Sequence, residues 1–384
     1  MTARFSSFFL ALIAISLTAG AIYWFADESD HVDIQTTKSA VRNLSPLHQL
    51  SKVDPAFKLP ERGRVINWPR DHQIKPDFRH EWWYLTANLT SETGRTLALQ
   101  WTLFRTGVVN RHHIDSTGQP NPAFESWYFA HSALADIDSH YSAFREGRSE
   151  LQTASVTADP FVASITDWQW TGETADLLPA TLSIGDNDWA ARLQITHGAN
   201  NQYFLQGDAG YSAKHPTKPI ASHYYSQPFI EVSGQVQLDG KWQTVTGHAW
   251  FDREWGSQLL APEQQGWDWF SLRLTDDLAL MVYQLRSDTS PMLSGMLMWR
   301  DGRQQPLLDS DIQLAEIGQR TDLYPQQFQL TIPDHQIDLR VKTINKEQVM
   351  KFGIEYFEGM VDVSGSHQGS GFLEMTGYQT PELD

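Results

Sequence analysis

Four residues spaced by two, His248, Trp250, Asp252 and Glu254, put an imidazole, an indole and two carboxyl groups on one side of any extended segment through this stretch. Alternate side chains of a strand share a face, so Ala249, Phe251, Arg253 and Trp255 fall on the other side. A solvent-facing strand rarely spends a Trp among its polar positions, and a core-facing strand rarely spends two carboxyls and an imidazole. Such a mixed face suits the wall of a cavity holding an apolar ligand and a few placed polar groups. A buried structural ion-pair network is the alternative. A second acid with indoles follows at Trp267-Asp268-Trp269.

A carboxylic acid held against aromatic walls has its pKa raised by desolvation and stays protonated near neutrality. Desolvated indole faces stabilise positive charge by ~2 kcal/mol each. Together these suit protonation of an isolated alkene, survival of the resulting cation and delivery of water, with no metal and no cofactor. Asp252, Glu254 and Asp268 are the candidate acids, and Trp250, Trp267 and Trp269 the walls. His248 is the candidate for positioning or deprotonating the water. Glu81, Trp83 and Tyr84 are candidate ligand contacts on an earlier strand, alongside Trp267 and Trp269. Strand-end capping and core packing are the plainer roles for these residues. Regular alternation sets Asp268 on the opposite face from Trp267 and Trp269, so the three need not converge.

Other chemistries find no support. His80-Glu81-Trp82-Trp83-Tyr84 begins like a zinc-protease motif but has Tyr where the second His belongs. His112, His113 and His131 lack the spacing that gathers a metal site. Gly365-Ser366-His367-Gln368-Gly369 sets the Ser one place too early for a nucleophile elbow. No P-loop and no dinucleotide fingerprint occurs. The absence of cysteine removes disulfides, thiolate catalysis and a lipoprotein-type anchor. A formal charge of −17 argues against nucleic acid and against adsorption to an anionic bilayer.

The elements that must position these groups read as β-structure. The chain has 384 residues, 41% hydrophobic and 20% charged, enough for a globular protein of two domains. Residues 1–25 read as a signal peptide or membrane anchor. Arg4 precedes the apolar run from Phe8 to Phe25, Ala19-Gly20-Ala21 offers a cleavage site, and Asp27, Glu28 and Asp30 follow. Export is expected, to a periplasmic location or to one anchored in the inner membrane by an uncleaved leader. Residues 26–60, with Pro46, Pro55 and Pro60, read as a linker. Beyond it, Glu81 to Leu89 and Thr96 to Arg105 make a hairpin, with Gly94 at a turn position that calls for positive φ.

The hairpin recurs. Trp82 to Leu89 aligns without gaps on Trp267 to Leu274, an offset of 185 residues; separately, the strand, Gly-containing turn and strand of Glu231 to Trp250 return in the same order at Glu358 to Tyr378. Two matches in the same order indicate an internal duplication. The expected fold is all-β, two tandem antiparallel β-barrels covering residues 61–256 and 257–384. The first carries extra length between Thr106 and Ser226, including two candidate lid loops, Gly107 to Pro122 and Gly207 to Pro228. One short helix is expected within Ser257 to Gln265.

The segments His80-Glu81-Trp82-Trp83-Tyr84, Gly247-His248-Ala249-Trp250-Phe251-Asp252-Arg253-Glu254-Trp255-Gly256 and Gly266-Trp267-Asp268-Trp269-Phe270 carry a resemblance. So do Tyr224-Tyr225-Ser226-x-Pro228 and Gly371-Phe372-Leu373-Glu374-Met375-Thr376-Gly377-Tyr378. Together they resemble the AttH and carotenoid 1,2-hydratase-like group of two-domain lipocalin-like proteins. The resemblance implies that His248, Trp250 and Asp268 stand where the family's hydratases have their implicated residues. It also implies an envelope transporter permease as a possible partner. The exported branch usually has His where this chain has Arg253; because a regular strand sets position 253 opposite Asp252 and Glu254, an ion pair with a neighbouring carboxylate, rather than proton transfer, is expected there. The first functional reading is an exported protein binding an extended hydrophobic small molecule, a lipid or isoprenoid. The second is a cofactor-independent hydratase or isomerase of such a molecule, and the third an accessory subunit of a transporter. Turnover of a polyene separates the first two.

Overall fold

Short segments rich in β-branched and aromatic residues, many alternating apolar and polar, build the described body of this molecule. The computed structural model describes residues 50–110, 123–198, 201–318 and 322–378. It is all-β, with two antiparallel sheets of thirteen and ten strands. Residues 1–25, expected to be a signal peptide or anchor, lie outside the described residues. Among these, no helix is long and apolar enough to cross a membrane.

The first sheet starts as a meander of β1 (His80–Ser91), β2 (Thr96–Asn110), β3 (Ala123–Ala135) and β4 (His140–Arg148). The chain then crosses to the far edge and returns through β5 (Ala154–Ala158), β6 (Phe161–Ile165), β7 (Trp168–Gly172), β8 (Ala180–Gly185) and β9 (Trp189–His197). Short strands β10 (Phe204–Leu205) and β11 (Tyr211–Ala213) precede the long hairpin of β12 (Ala221–Leu238) and β13 (Lys241–Gly256). Strand β13 pairs with β1, so first and last strands meet. Edge strands β4 and β5 are consecutive in the chain, and Arg145 on β4 reaches Asp167 at 2.7 Å and the Gly185 carbonyl at 3.0 Å. The sheet thus becomes a nearly closed barrel, which hides its edges.

The second sheet repeats this wiring as a half-barrel. Strands β14 (Gly266–Arg273), β15 (Leu278–Arg286), β16 (Met292–Trp299) and β17 (Gln304–Leu307) run outward. Strands β18 (Gln313–Glu316), β19 (Gln327–Ile332), β20 (Ile337–Thr343), β21 (Val349–Phe352), β22 (Ile354–Gly365) and β23 (Gly369–Thr376) return. Strand β23 pairs with β14 as β13 pairs with β1. The duplication read from sequence is therefore a duplication of topology. Gly94 in the first hairpin has φ +81°, a conformation only glycine adopts cheaply.

Two expectations need correction. Ser257 to Gln265 forms no helix; Gln264 turns its side chain back to accept from the Ala261 N–H at 2.7 Å, and the Leu259 N–H donates to the Leu50 carbonyl. Those bonds divert the backbone from the helical ladder. The Gly207 to Pro228 stretch is not one loop, because β11 lies within it and β12 begins at Ala221. Most of Gly107 to Pro122 lies outside the described residues. Part of the expected linker also docks on the body: Phe57 is buried, and the Lys58 carbonyl accepts from Ser257 Oγ at 2.5 Å.

Burial along the strands locates the functional region. Strand β20 alternates cleanly between buried and exposed, as a strand with one wet face should. Strand β1, the last eight residues of β13 and most of β14 are covered on both faces. One face lines a barrel interior and the other meets the opposite barrel. The interior of the first barrel holds Trp83, Trp101, Phe251 and Trp255, and that of the second Phe270, Leu330 and Phe357. A third cluster, with Tyr84, Tyr224, Trp250, Trp269, Met281 and Phe372, draws from both sheets. It is the seam.

Candidate active site

The mixed face of β13 is the outer face of the first barrel, and the second sheet covers it. Trp250, Asp252 and Glu254 are all buried in the seam. Asp252 is 3% exposed and accepts hydrogen bonds from Ser226 Oγ at 2.5 Å, Trp250 Nε1 at 2.9 Å and the Tyr224 hydroxyl at 3.0 Å. Burial nevertheless pushes its carboxyl up to about 7, with the neighbouring Glu254 charge adding to the effect. Glu254 is instead neutralised by Lys214, 2.6 Å away, and accepts from Ser222 Oγ. Lys214 stays charged: although burial opposes it, the Glu254 carboxylate lifts its pKa, and its ammonium lies 4.6 Å from the Tyr283 ring centre. Of these two acids on one strand face, Glu254 has a cation beside it and Asp252 has only hydrogen-bond donors.

Three of the predicted ligand contacts belong to the same region. The Tyr84 and Trp269 rings meet edge to face at 5.3 Å, and Trp250 lies 6.2 Å from Trp269 in the same arrangement. Trp269 Nε1 donates to the Tyr224 hydroxyl at 3.2 Å, which itself donates to Asp252. Trp267 Nε1 donates to Glu374 at 2.8 Å. The duplication explains the meeting, because the 185-residue offset carries Tyr84 onto Trp269. Tyr84 lies opposite Asp252 across β1–β13, and Trp269 lies opposite Glu374 across β14–β23. Equivalent faces of the two halves pack against each other, so equivalent residues touch.

The remaining predicted residues are elsewhere. Glu81 and Trp83 face the interior of the first barrel. There Glu81 accepts from Arg105 at 2.7 Å, from Arg253 and from the Lys75 N–H at 3.0 Å, with all three charged side chains fully buried. The Arg253 guanidinium lies over the Trp83 ring at 3.9 Å. Arg253 forms its ion pair across the sheet with Glu81, not with its sequence neighbours Asp252 or Glu254. Asp268 points into the second barrel, pairing with Arg286 at 3.3 Å and hydrogen-bonding Tyr378, so it does not join Asp252. His248 lies on the same face as Asp252 but four residues away, about 13 Å along the strand. Its Nε2 reaches Ser370 Oγ at 3.3 Å at the rim of an open polar cleft of about 630 Å³ lined also by Arg273, Asp362 and Gln368. Burial lowers its pKa to about 4, so it is neutral.

The family assignment follows from the whole body. The AttH-like family profile matches residues 59–378. This chain belongs to the AttH-like family. Among solved structures it is similar to an AttH from Nitrosomonas europaea, with 29% identity and a TM-score of 0.73 over 84% of this chain and 99% of that one. It shares its fold with kievitone hydratase from Nectria haematococca at 15% identity and a TM-score of 0.60, over 86% of this chain and 97% of that one. A search of curated proteins finds no match. In this AttH-like chain, reading by strand face missed Lys214, Tyr224, Ser226, Glu358 and Glu374 as site residues. One signal was available for Glu374: an offset of 122 residues carries Asp252 onto it and His248 onto Ser370.

Proposed function

We propose that the seam is the reaction chamber of a cofactor-independent hydratase or isomerase acting on an extended apolar ligand with an isolated double bond, of the isoprenoid type. The observation that carries this reading is Asp252, a fully buried carboxyl pushed up to about 7 among Trp250, Trp269, Tyr84 and Tyr224. An acid with that pKa keeps its proton near neutrality and still gives it up, as general acid catalysis requires. Proton transfer from Asp252 to an alkene carbon leaves a cation. The faces of Trp250 and Trp269, once desolvated, stabilise it by ~2 kcal/mol each. The sharing of a fold with a hydratase supports the reading at the level of architecture only.

The ligand needs room, and the second sheet supplies an adaptable wall. Five of the eight methionines, Met281, Met292, Met296, Met298 and Met360, pack in the seam. Unbranched methionine side chains repack at low cost and recur at surfaces that accommodate varied apolar partners. A binding protein without turnover is the second reading. It is favoured by the three hydrogen bonds that already occupy Asp252.

Squalene, as an acyclic polyene probe, separates the two. In deuterated water the enzyme incorporates deuterium into the probe, and Asp252→Asn abolishes this while the probe still co-purifies with the protein. Retention of squalene by wild type with no isotope in the recovered ligand leaves the binding reading. The leader adds an expectation of export, which fractionation of the producing cell tests.

A further inference from the structure

The second half of the chain brings its own carboxyl groups to the seam. Glu374 stands opposite Trp269 as Asp252 stands opposite Tyr84. Where Asp252 has Ser226 as its cross-strand neighbour on β12, Glu374 has Glu358 on β22. Glu358 is 1% exposed, and its Oε1 accepts from the Tyr84 hydroxyl at 2.5 Å. Its Oε2 is buried and has no hydrogen-bond partner among the described residues. A buried polar oxygen left so costs ~1–3 kcal/mol, which a bound water or a ligand hydroxyl recovers. Among the described residues neither Glu358 nor Glu374 forms an ion pair, since Lys214 is held by Glu254. The other titratable groups facing this pair are Tyr84, Tyr356, Asp252 and Glu254.

We propose that Glu358 and Glu374 hold the water that adds to the ligand, with Glu358 orienting it through Oε2 and Glu374 accepting its proton. Acid and base then come one from each half of the duplicated chain. The inference rests on the seam being a reaction chamber and names the second half of its chemistry. In the first step the π pair of the double bond takes the proton of Asp252, forming a C–H bond and leaving Asp252 ionised. In the second, a lone pair of the water forms the C–O bond at the cationic carbon, and the proton released passes to the Glu374 carboxylate. The sum is ligand plus water. Passing that proton from Glu374 back to Asp252 restores the starting state.

The electrostatics agree with this division. Burial pushes Glu374 up to about 7, with Glu254 and Asp252 adding to the effect. Burial holds Glu358 well above the usual carboxyl range, the Glu374 charge contributing, so Glu358 is a neutral donor. Asp252 and Glu374 repel when both are ionised, which favours one shared proton near neutrality, one group acid and the other base. His248, at the rim, is too far away for the water.

The test uses the full chain, with Glu374→Gln and Glu358→Gln, on squalene in deuterated water enriched in oxygen-18. Wild type incorporates both isotopes. Glu374→Gln keeps deuterium exchange through Asp252 but loses oxygen-18 incorporation about 100-fold or more, the scale of a lost general base. Glu358→Gln also loses oxygen-18 selectively, by less. Oxygen-18 incorporation by Glu374→Gln at the wild-type rate overturns the inference and leaves Asp252 as the acid. Neither isotope entering the probe with wild type counts against the reaction chamber itself. Water placement is then decided by a high-resolution crystal structure. An ordered water bridging Glu358 Oε2 and Glu374 supports the inference, and a direct protein partner for Oε2 or a dry site overturns it. Urea midpoints near pH 5, where glutamine mimics a neutral acid, separate misfolding from a lost proton acceptor.

Discussion

Replacing Asp252 with Asn should stabilise the protein at alkaline pH and leave it nearly unchanged in acid. Asparagine is the neutral isostere of a protonated aspartic acid: its oxygen keeps the bonds from Ser226 and Trp250, which share Oδ1, and its amide NH2, in place of Oδ2, donates to the Tyr224 hydroxyl. In the unfolded chain Asp252 ionises near 3.8, whereas in the folded protein it holds its proton to about 7. Below the unfolded value both states are protonated and the wild type suffers no penalty. As pH rises through the window between the two values the unfolded chain ionises freely and the folded one cannot, so wild-type stability falls. Above about 7 the deficit is constant. At 1.36 kcal/mol per pKa unit it is on the order of 4 kcal/mol. Urea unfolding of both proteins from about pH 4 to about pH 8, read as a difference curve, cancels the buried histidines common to both. A variant that loses stability relative to wild type as pH rises would mean that three hydrogen bonds hold Asp252 ionised. The general acid would then be gone.

Four further outcomes are expected. Glu81→Gln leaves Arg105 and Arg253 buried around a neutral amide and costs ~3–5 kcal/mol, read by thermal or urea unfolding at neutral pH. Trp269→Ala opens the seam at its centre and costs ~3–5 kcal/mol, and it lowers deuterium incorporation into squalene more than it lowers squalene retention. Gly247→Ala sets a Cβ 2.0 Å from the Asn88 carbonyl oxygen, so β13 must part from β1 and the melting temperature falls. His248→Asn leaves isotope incorporation into squalene unchanged, because the imidazole reaches Ser370 at the rim and not Asp252; a large loss would return His248 to the reaction.

Sequence by itself determined whatever depends on neighbours along one strand. Two-residue periodicity put Trp250, Asp252 and Glu254 together and Arg253 opposite them, and it separated Asp268 from Trp267 and Trp269. The offset of 185 residues revealed the repeated hairpin, and Gly94 marked its turn. Periodicity assigns a side chain to one of two faces but does not say what covers each face. Only tertiary structure decided that the acidic face of β13 lies against the other barrel while Arg253 and Glu81 fill the interior of the first. It alone brought Lys214 to Glu254 and Glu358 to the Tyr84 hydroxyl, and it showed that Glu374, marked in the sequence only by an offset, meets the seam through Trp267. Those partners lie on different strands, over a hundred residues apart for Asp252 and Glu374, and their meeting depends on how two curved sheets dock. The same docking sets the protonation of Asp252, since desolvation comes from everything packed around a group and a strand taken alone leaves it in water.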